Sequence, residues 1–261
     1  MDRTDIDAKA NKEDDTMDNT IRKKEDEIFE EIIGYLNDSE NFVKDGLCWA
    51  DIKCGENLSP VDYKEMENLY MGQDKRVVFL LKEPNGNEGE DYRDWHWKEN
   101  STPLGRSIAF WLEGILNTKK DSYLKKDDLR QNREIFKERP FALVNVKKIA
   151  GGARSNWKEI EHYAEKCSEQ IINQLNLYDP NIIVCCGSSD SKSKPTMLKL
   201  AKKYFYKDCS FNPINDFCYY CKDKNLLLID SYHPSYTRVK NEDKFDKMFE
   251  CYSDFLKKQD K

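Results

Sequence analysis

A cation and an acid stand side by side at Lys82-Glu83, directly after the apolar run Val77-Val78-Phe79-Leu80-Leu81 and before Pro84-Asn85-Gly86. Consecutive apolar residues rich in β-branched and aromatic types predict a buried parallel strand, and Pro-Asn-Gly is turn punctuation. The pair therefore falls at a strand's carboxyl end, where open α/β sheets bind ligands. A carboxylate placed there can stabilise positive charge or orient water; the bland alternative is a solvated loop glutamate. Asn145 ends a second such run, Phe141-Ala142-Leu143-Val144-Asn145-Val146, and Lys147, Lys148, Gly151, Gly152 and Arg154 follow it. Two lysines, a Gly pair and an arginine after a strand can embrace a phosphate, or form a plain surface turn. Gly187-Ser188-Ser189 follows a third run, and His233-Pro234-Ser235 follows a fourth, Leu226-Leu227-Leu228-Ile229-Asp230.

These positions need a scaffold that brings four strand ends together. Apolar residues at helical spacing predict helices over Lys23–Leu36, Pro103–Leu116, Trp157–Leu177, Pro195–Tyr206 and Glu242–Lys257. Asp179-Pro180 stops the helix before the third strand, Asn181–Gly187, and Tyr219-Tyr220 suggests one further short strand. Asn41–Tyr70 reads as irregular, and Thr118–Arg139 as charged and partly helical. Strands alternating with helices predict an α/β fold: a three-layer α/β/α arrangement around a four-stranded, mainly parallel sheet. Residues 1–22 read as a disordered charged tail and 23–261 as a single domain. The sequence has no Gly-rich dinucleotide fingerprint and no Walker loop.

The 261 residues carry a formal net charge of −6, which excludes a generally basic coat but permits a local basic groove. No apolar run approaches the roughly 18 residues of a membrane span and no apolar signal core opens the chain, so a cytoplasmic protein that avoids membranes is expected. Nine cysteines, an odd and scattered set, suit reduced thiols. Cys218-Tyr219-Tyr220-Cys221 is a lone C-x-x-C with no second close pair beside it, a weak metal signal.

Taken in order, Lys82-Glu83-Pro84-Asn85, Asn145, Gly187-Ser188 and His233-Pro234-Ser235 resemble the motifs of the uracil-DNA glycosylase superfamily. The resemblance spans about Arg76 to Leu256. It is nearest to the bacterial and archaeal iron–sulfur branch, whose Gly-Glu-x-Pro-Gly motif precedes acidic residues, as Glu88, Glu90 and Asp91 follow here. A Pro-x-x-Gly-(Arg/Lys) segment opens the next helix there, as Pro103-Leu104-Gly105-Arg106 does here. Aligned on Pro84, Lys82 takes the position of that branch's Glu, while Glu83 takes the position of the catalytic Asp of the classical uracil enzymes. The cluster's thiolates are not matched: Cys48 and Cys54 are too widely spaced, Lys148 or Ile149 stands at the third ligand, and only Cys167 lies near a ligand position. No iron–sulfur cluster and no other cofactor is therefore expected.

The resemblance implies hydrolysis of the N-glycosidic bond of a flipped uracil or other damaged base in single- or double-stranded DNA, by a monomer. Glu83 would stabilise the sugar cation or orient water, and His233 would donate a hydrogen bond to the leaving base. Asn145 would read the base edge, with Lys82, Pro84, Asn85 and Leu104 around it. Leu104 falls at the stacking position, so the stack would come from Trp95, Trp97 or another side chain. Lys147, Lys148, Arg154, Ser188, Ser235, Tyr236 and Arg238 would hold DNA. Two other classes stay open: a nucleic-acid or nucleotide binding module without turnover on the same fold, and a phosphate-handling α/β enzyme.

Overall fold

A computed structural model describes residues 20–36, 41–48, 60–85, 89–95, 97, 102–120, 135–152, 155–187, 195–236 and 241–259. In chain order the elements are α1 (Ile21–Leu36), β1 (Leu47–Cys48), α2 (Pro60–Met71), β2 (Val77–Leu81), α3 (Pro103–Asn117), α4 (Ile135–Glu138) and β3 (Phe141–Asn145). There follow α5 (Trp157–Lys166), α6 (Ser168–Tyr178), β4 (Ile182–Cys186), α7 (Met197–Leu200), β5 (Asn212–Asn215), β6 (Cys218–Cys221), β7 (Leu226–Ser231) and α8 (Asn241–Gln259).

The α/β class is as expected, but the sheet is larger and more mixed than four mainly parallel strands. Its seven strands run in the order β1-β3-β2-β4-β7-β6-β5. The four central strands β3, β2, β4 and β7 are mutually parallel, whereas β1, β6 and β5 add antiparallel edges. The missed edges carry little sequence signal: β1 is two residues long, and β5 is a half-exposed Asn-Pro-Ile-Asn without apolar alternation.

The central strands are buried on both faces because their side chains alternate between two cores. Val78, Leu80, Ala142, Val144, Ile183 and Leu228 meet α1, α5, α6 and α7 on one side. Val77, Phe79, Leu143, Val184 and Ile229 meet α3 and α8 on the other. Each fully buried side chain of this size contributes on the order of 1.5–3 kcal/mol. Gly114 lets α3 and α8 approach closely, since a Cβ there would overlap the Phe249 ring.

Several boundaries differ from the sequence reading. α1 begins at Ile21, so Arg22 belongs to the fold, where it pairs with Asp91 and Asp94. The segment read as irregular contains α2, whose polar surface hides the inward Met66 and Tyr70. The Trp157–Leu177 helix is two helices that meet at Cys167 (φ −108°, ψ 23°). The expected helix after Pro195 makes one α turn and then a π turn over Ala201–Phe205. Asp179, in the left-handed region at φ 40°, ends α6 as its Asp-Pro pair suggested. α3 opens at Pro103 as read, and Thr102 caps it by accepting from the Gly105 N–H.

Candidate functional site

The parallel strands β3, β2, β4 and β7 all end on one edge of the sheet, and their carboxyl ends deliver Asn145, Lys82-Glu83, Gly187 and the His233 loop. The chain leaving β2 runs to β3 on one side, and the chain leaving β4 runs to β5, β6 and β7, all on the other. The switch point of the sheet therefore lies between β2 and β4, beside Lys82 and Glu83.

Backbone pairing continues past the strands and fixes the loops. The Val146 and Lys147 N–H groups donate to the Leu81 and Lys82 carbonyls, each at 2.9 Å, and the Gly151 N–H to the Pro84 carbonyl at 2.8 Å. This zipper lays the β3 loop along Glu83. Lys147 Nζ donates to Glu83 Oε2 at 3.0 Å and to Glu159 Oε2 on α5 at 3.2 Å. Gly151 backs the same carboxylate, and a Cβ there would overlap it. Glu83 is only 9% exposed, and its Oε1 is buried without a hydrogen-bond partner among the described residues. One oxygen of this carboxylate is thus anchored, and the other keeps unused acceptor capacity.

Lys82, the chain neighbour of Glu83, makes no ion pair with it; Lys147 does. The Lys82 ammonium lies 5.6 Å from the centre of the Trp157 ring. Burial lowers its pKa, against the nearby Glu83 carboxylate. Trp157 is half-buried at the start of α5, and a Cβ on Gly187 would come within 3.5 Å of its ring. The ring thus lines the space between the ends of β2 and β4. By spacing alone Trp157 is the first apolar residue of the helix expected over Trp157–Leu177; its place at the first turn after a Gly-rich loop is the available signal.

In the loop after β7 the backbone N–H of Ser235 donates to His233 Nδ1 at 3.2 Å. A neutral imidazole with Nδ1 accepting carries its proton on Nε2, which makes that atom a donor. Ser107 Oγ of α3 donates to the Pro234 carbonyl at 2.9 Å and ties the loop to the helix. Tyr232 and Tyr236 stack beside it, with ring centres 5.7 Å apart and planes 3° apart. With β4 between them, β2 and β7 are separated by about 10 Å.

Other expected site residues are placed differently. Lys148 is not at the surface: it is 1% exposed, and its ammonium donates to Asp45 Oδ1 and, at 2.7 Å, to Gln174 Oε1. Asn145 is 2% exposed and spends both its backbone N–H, at 2.7 Å, and its side-chain NH₂, at 3.0 Å, on Asp45 Oδ2. Gln174 continues this network to Tyr178 and Tyr178 to Glu25, which pairs with Arg93 at 3.0 Å. Burial raises the Glu25 carboxyl pKa despite that arginine, and lowers that of Lys148 despite Asp45. Trp97 is fully buried with its indole N–H on the Tyr92 carbonyl, so it is not a base-stacking side chain, while Trp95 packs on Tyr92. Pro84 is buried, Leu104 half-buried, Asn85 and Ser235 exposed. Arg154, Ser188, Arg238 and Cys54 lie outside the described residues.

Cys48 belongs to the core on one face of the sheet and Cys167 to the core on the other, so these two thiols do not fit a common cluster. Cys218 and Cys221 also point to opposite faces of the sheet. Among the described residues no three His, Cys, Asp or Glu side chains converge as a metal site, and no helix is long and apolar enough to cross a membrane. No protein-family model matches the chain, and no curated protein is significantly similar to it.

Proposed function

We propose that this protein hydrolyses the N-glycosidic bond of a uracil or other damaged base in DNA, in the manner of the superfamily its motifs resemble. The observation that carries the reading is Glu83: a buried carboxylate at the switch point, held by Lys147 through one oxygen and open at the other. Breaking the bond builds positive charge on the deoxyribose and negative charge on the departing base. Glu83 faces the first charge, with Lys147 holding its orientation; its unpartnered Oε1 orients the attacking water. The His233 Nε2–H, two strands along the same edge, donates to the leaving base. Trp157 supplies an aromatic wall at the switch point, the role that Leu104 does not fill.

The test incubates the purified protein with oligonucleotides carrying uracil, hypoxanthine or no lesion, measures released base and reveals abasic sites with alkali. Base release from one lesion, lost in Glu83→Gln, is the expected result; no release from any substrate overturns the reading.

One observation favours a second reading, a nucleic-acid binding module without turnover. The Asn145 NH₂ is committed to Asp45 and not to a base edge, and a cation stands beside Glu83. DNA retained on a filter with no base released from any lesion would select it.

A further inference from the structure

Three lysines sit at the ends of β2 and β3, and two are neutralised by carboxylates: Lys147 by Glu83 and Glu159, and Lys148 by Asp45. Among the described residues Lys82 has no carboxylate within ion-pair distance and no hydrogen-bond acceptor. It lies at the switch point over Trp157, next to the carboxylate whose Oε1 has no partner. An ion pair holds a lysine's proton, whereas a dry wall without a counter-ion releases it, and a free amine is a nucleophile toward carbonyl carbon. At 5.6 Å the ring is at the far end of cation–π range and opposes this little.

We propose that Lys82 is a nucleophile that forms an imine with an aldehyde, and that the aldehyde is the ring-opened C1′ of an abasic deoxyribose in DNA. The identity of the aldehyde rests on the glycosylase reading, whose product would be that abasic sugar. Lys82 Nζ adds to C1′, forming a C–N bond as the carbonyl oxygen becomes a hydroxyl; loss of that hydroxyl as water leaves a protonated imine. Glu83 then removes a proton from C2′. The C–H electron pair becomes the C2′–C3′ double bond, the C3′–O bond breaks, and the 3′ phosphate leaves with its electrons. Water hydrolyses the imine and returns the amine. No oxidant or metal enters the balance. The lowered basicity that burial gives Lys82 increases the fraction of free amine near neutrality.

The experiment uses the full chain and an oligonucleotide with a pre-formed abasic site, trapped with sodium borohydride. The expected result is a covalent protein–DNA adduct on a denaturing gel, mapped by peptide mass to Lys82, with yield rising with pH. It should fall to background in Lys82→Arg and Lys82→Met, whose folding is checked by thermal melting. An adduct that persists at full yield in a folded Lys82→Arg, or no adduct with the unaltered protein, overturns the proposal. Base release from uracil-containing DNA, assayed separately without reductant, tells the two readings apart. Release without an adduct sinks only the imine; an adduct without release supports the imine and sinks the glycosylase.

Discussion

Lys147 and Lys148 are neighbours in the chain and serve two different regions of the molecule. Lys147 follows β3 on the ligand edge, where it bridges Glu83 and Glu159 and leaves one carboxylate oxygen open. Lys148 turns inward to Asp45 and Gln174, in a network that runs through Tyr178 and Glu25 to Arg93 and is closed at each of these links. A closed network buried under α1 and α6 specifies how those helices meet the sheet. An incompletely closed one at a strand end keeps capacity for a ligand. Position at the sheet edge, not the presence of charge, separates the two networks here.

The largest effect is expected at Asp45. Asp45→Ala strands the Lys148 ammonium and leaves the Asn145 and Gln174 amides short of acceptors. Urea unfolding should show a loss of about 3–5 kcal/mol. A loss below about 1 kcal/mol would mean that the network is not architectural. Glu83→Gln should behave in the opposite way, with stability nearly unchanged while base release falls by roughly 10²–10³. Equal damage to stability and activity would erase the distinction between the regions.

Gly151→Ala sharpens the contrast, because its Cβ must displace the Glu83 carboxylate. An overpacking cost of about 1–3 kcal/mol is expected, together with reduced turnover, measured by melting and by the excision assay. The smallest effect belongs to the rim of the inner network. Burial would raise the Asp91 carboxyl, but the Arg93 and Arg22 guanidinium groups hold its pKa below the ordinary value. Asp91 therefore contributes stability above the ordinary carboxylate pKa of about 4, and that contribution is lost as pH falls through its lowered folded value. Asp91→Asn should cost about 1–2 kcal/mol at pH 7 and progressively less toward pH 3. Urea midpoints across that range check it, and a constant difference would contradict the linkage.

The four parallel strands were legible because each is a short continuous run of Val, Ile, Leu and Phe buried on both faces, and Thr102-Pro103 and Asp179-Pro180 punctuate their helices with local chemistry. Glu83 and His233 could be placed at strand ends for the same reason. Trp157 was not legible as a site residue, because a helical apolar stripe looks the same whether its first member closes a core or lines a cleft.

Run length, apolar pattern and turn residues thus determined by themselves that this is an α/β chain with chemistry-bearing side chains gathered at the carboxyl ends of its parallel strands. Only the tertiary structure decided the partners: that Lys147 and not Lys82 holds Glu83, and that Lys148 and Asn145 belong to Asp45. These pairs span 64, 103 and 100 residues. No local periodicity carries that information, since which charge meets which depends on the order of strands in the sheet and on the side to which each successive side chain turns.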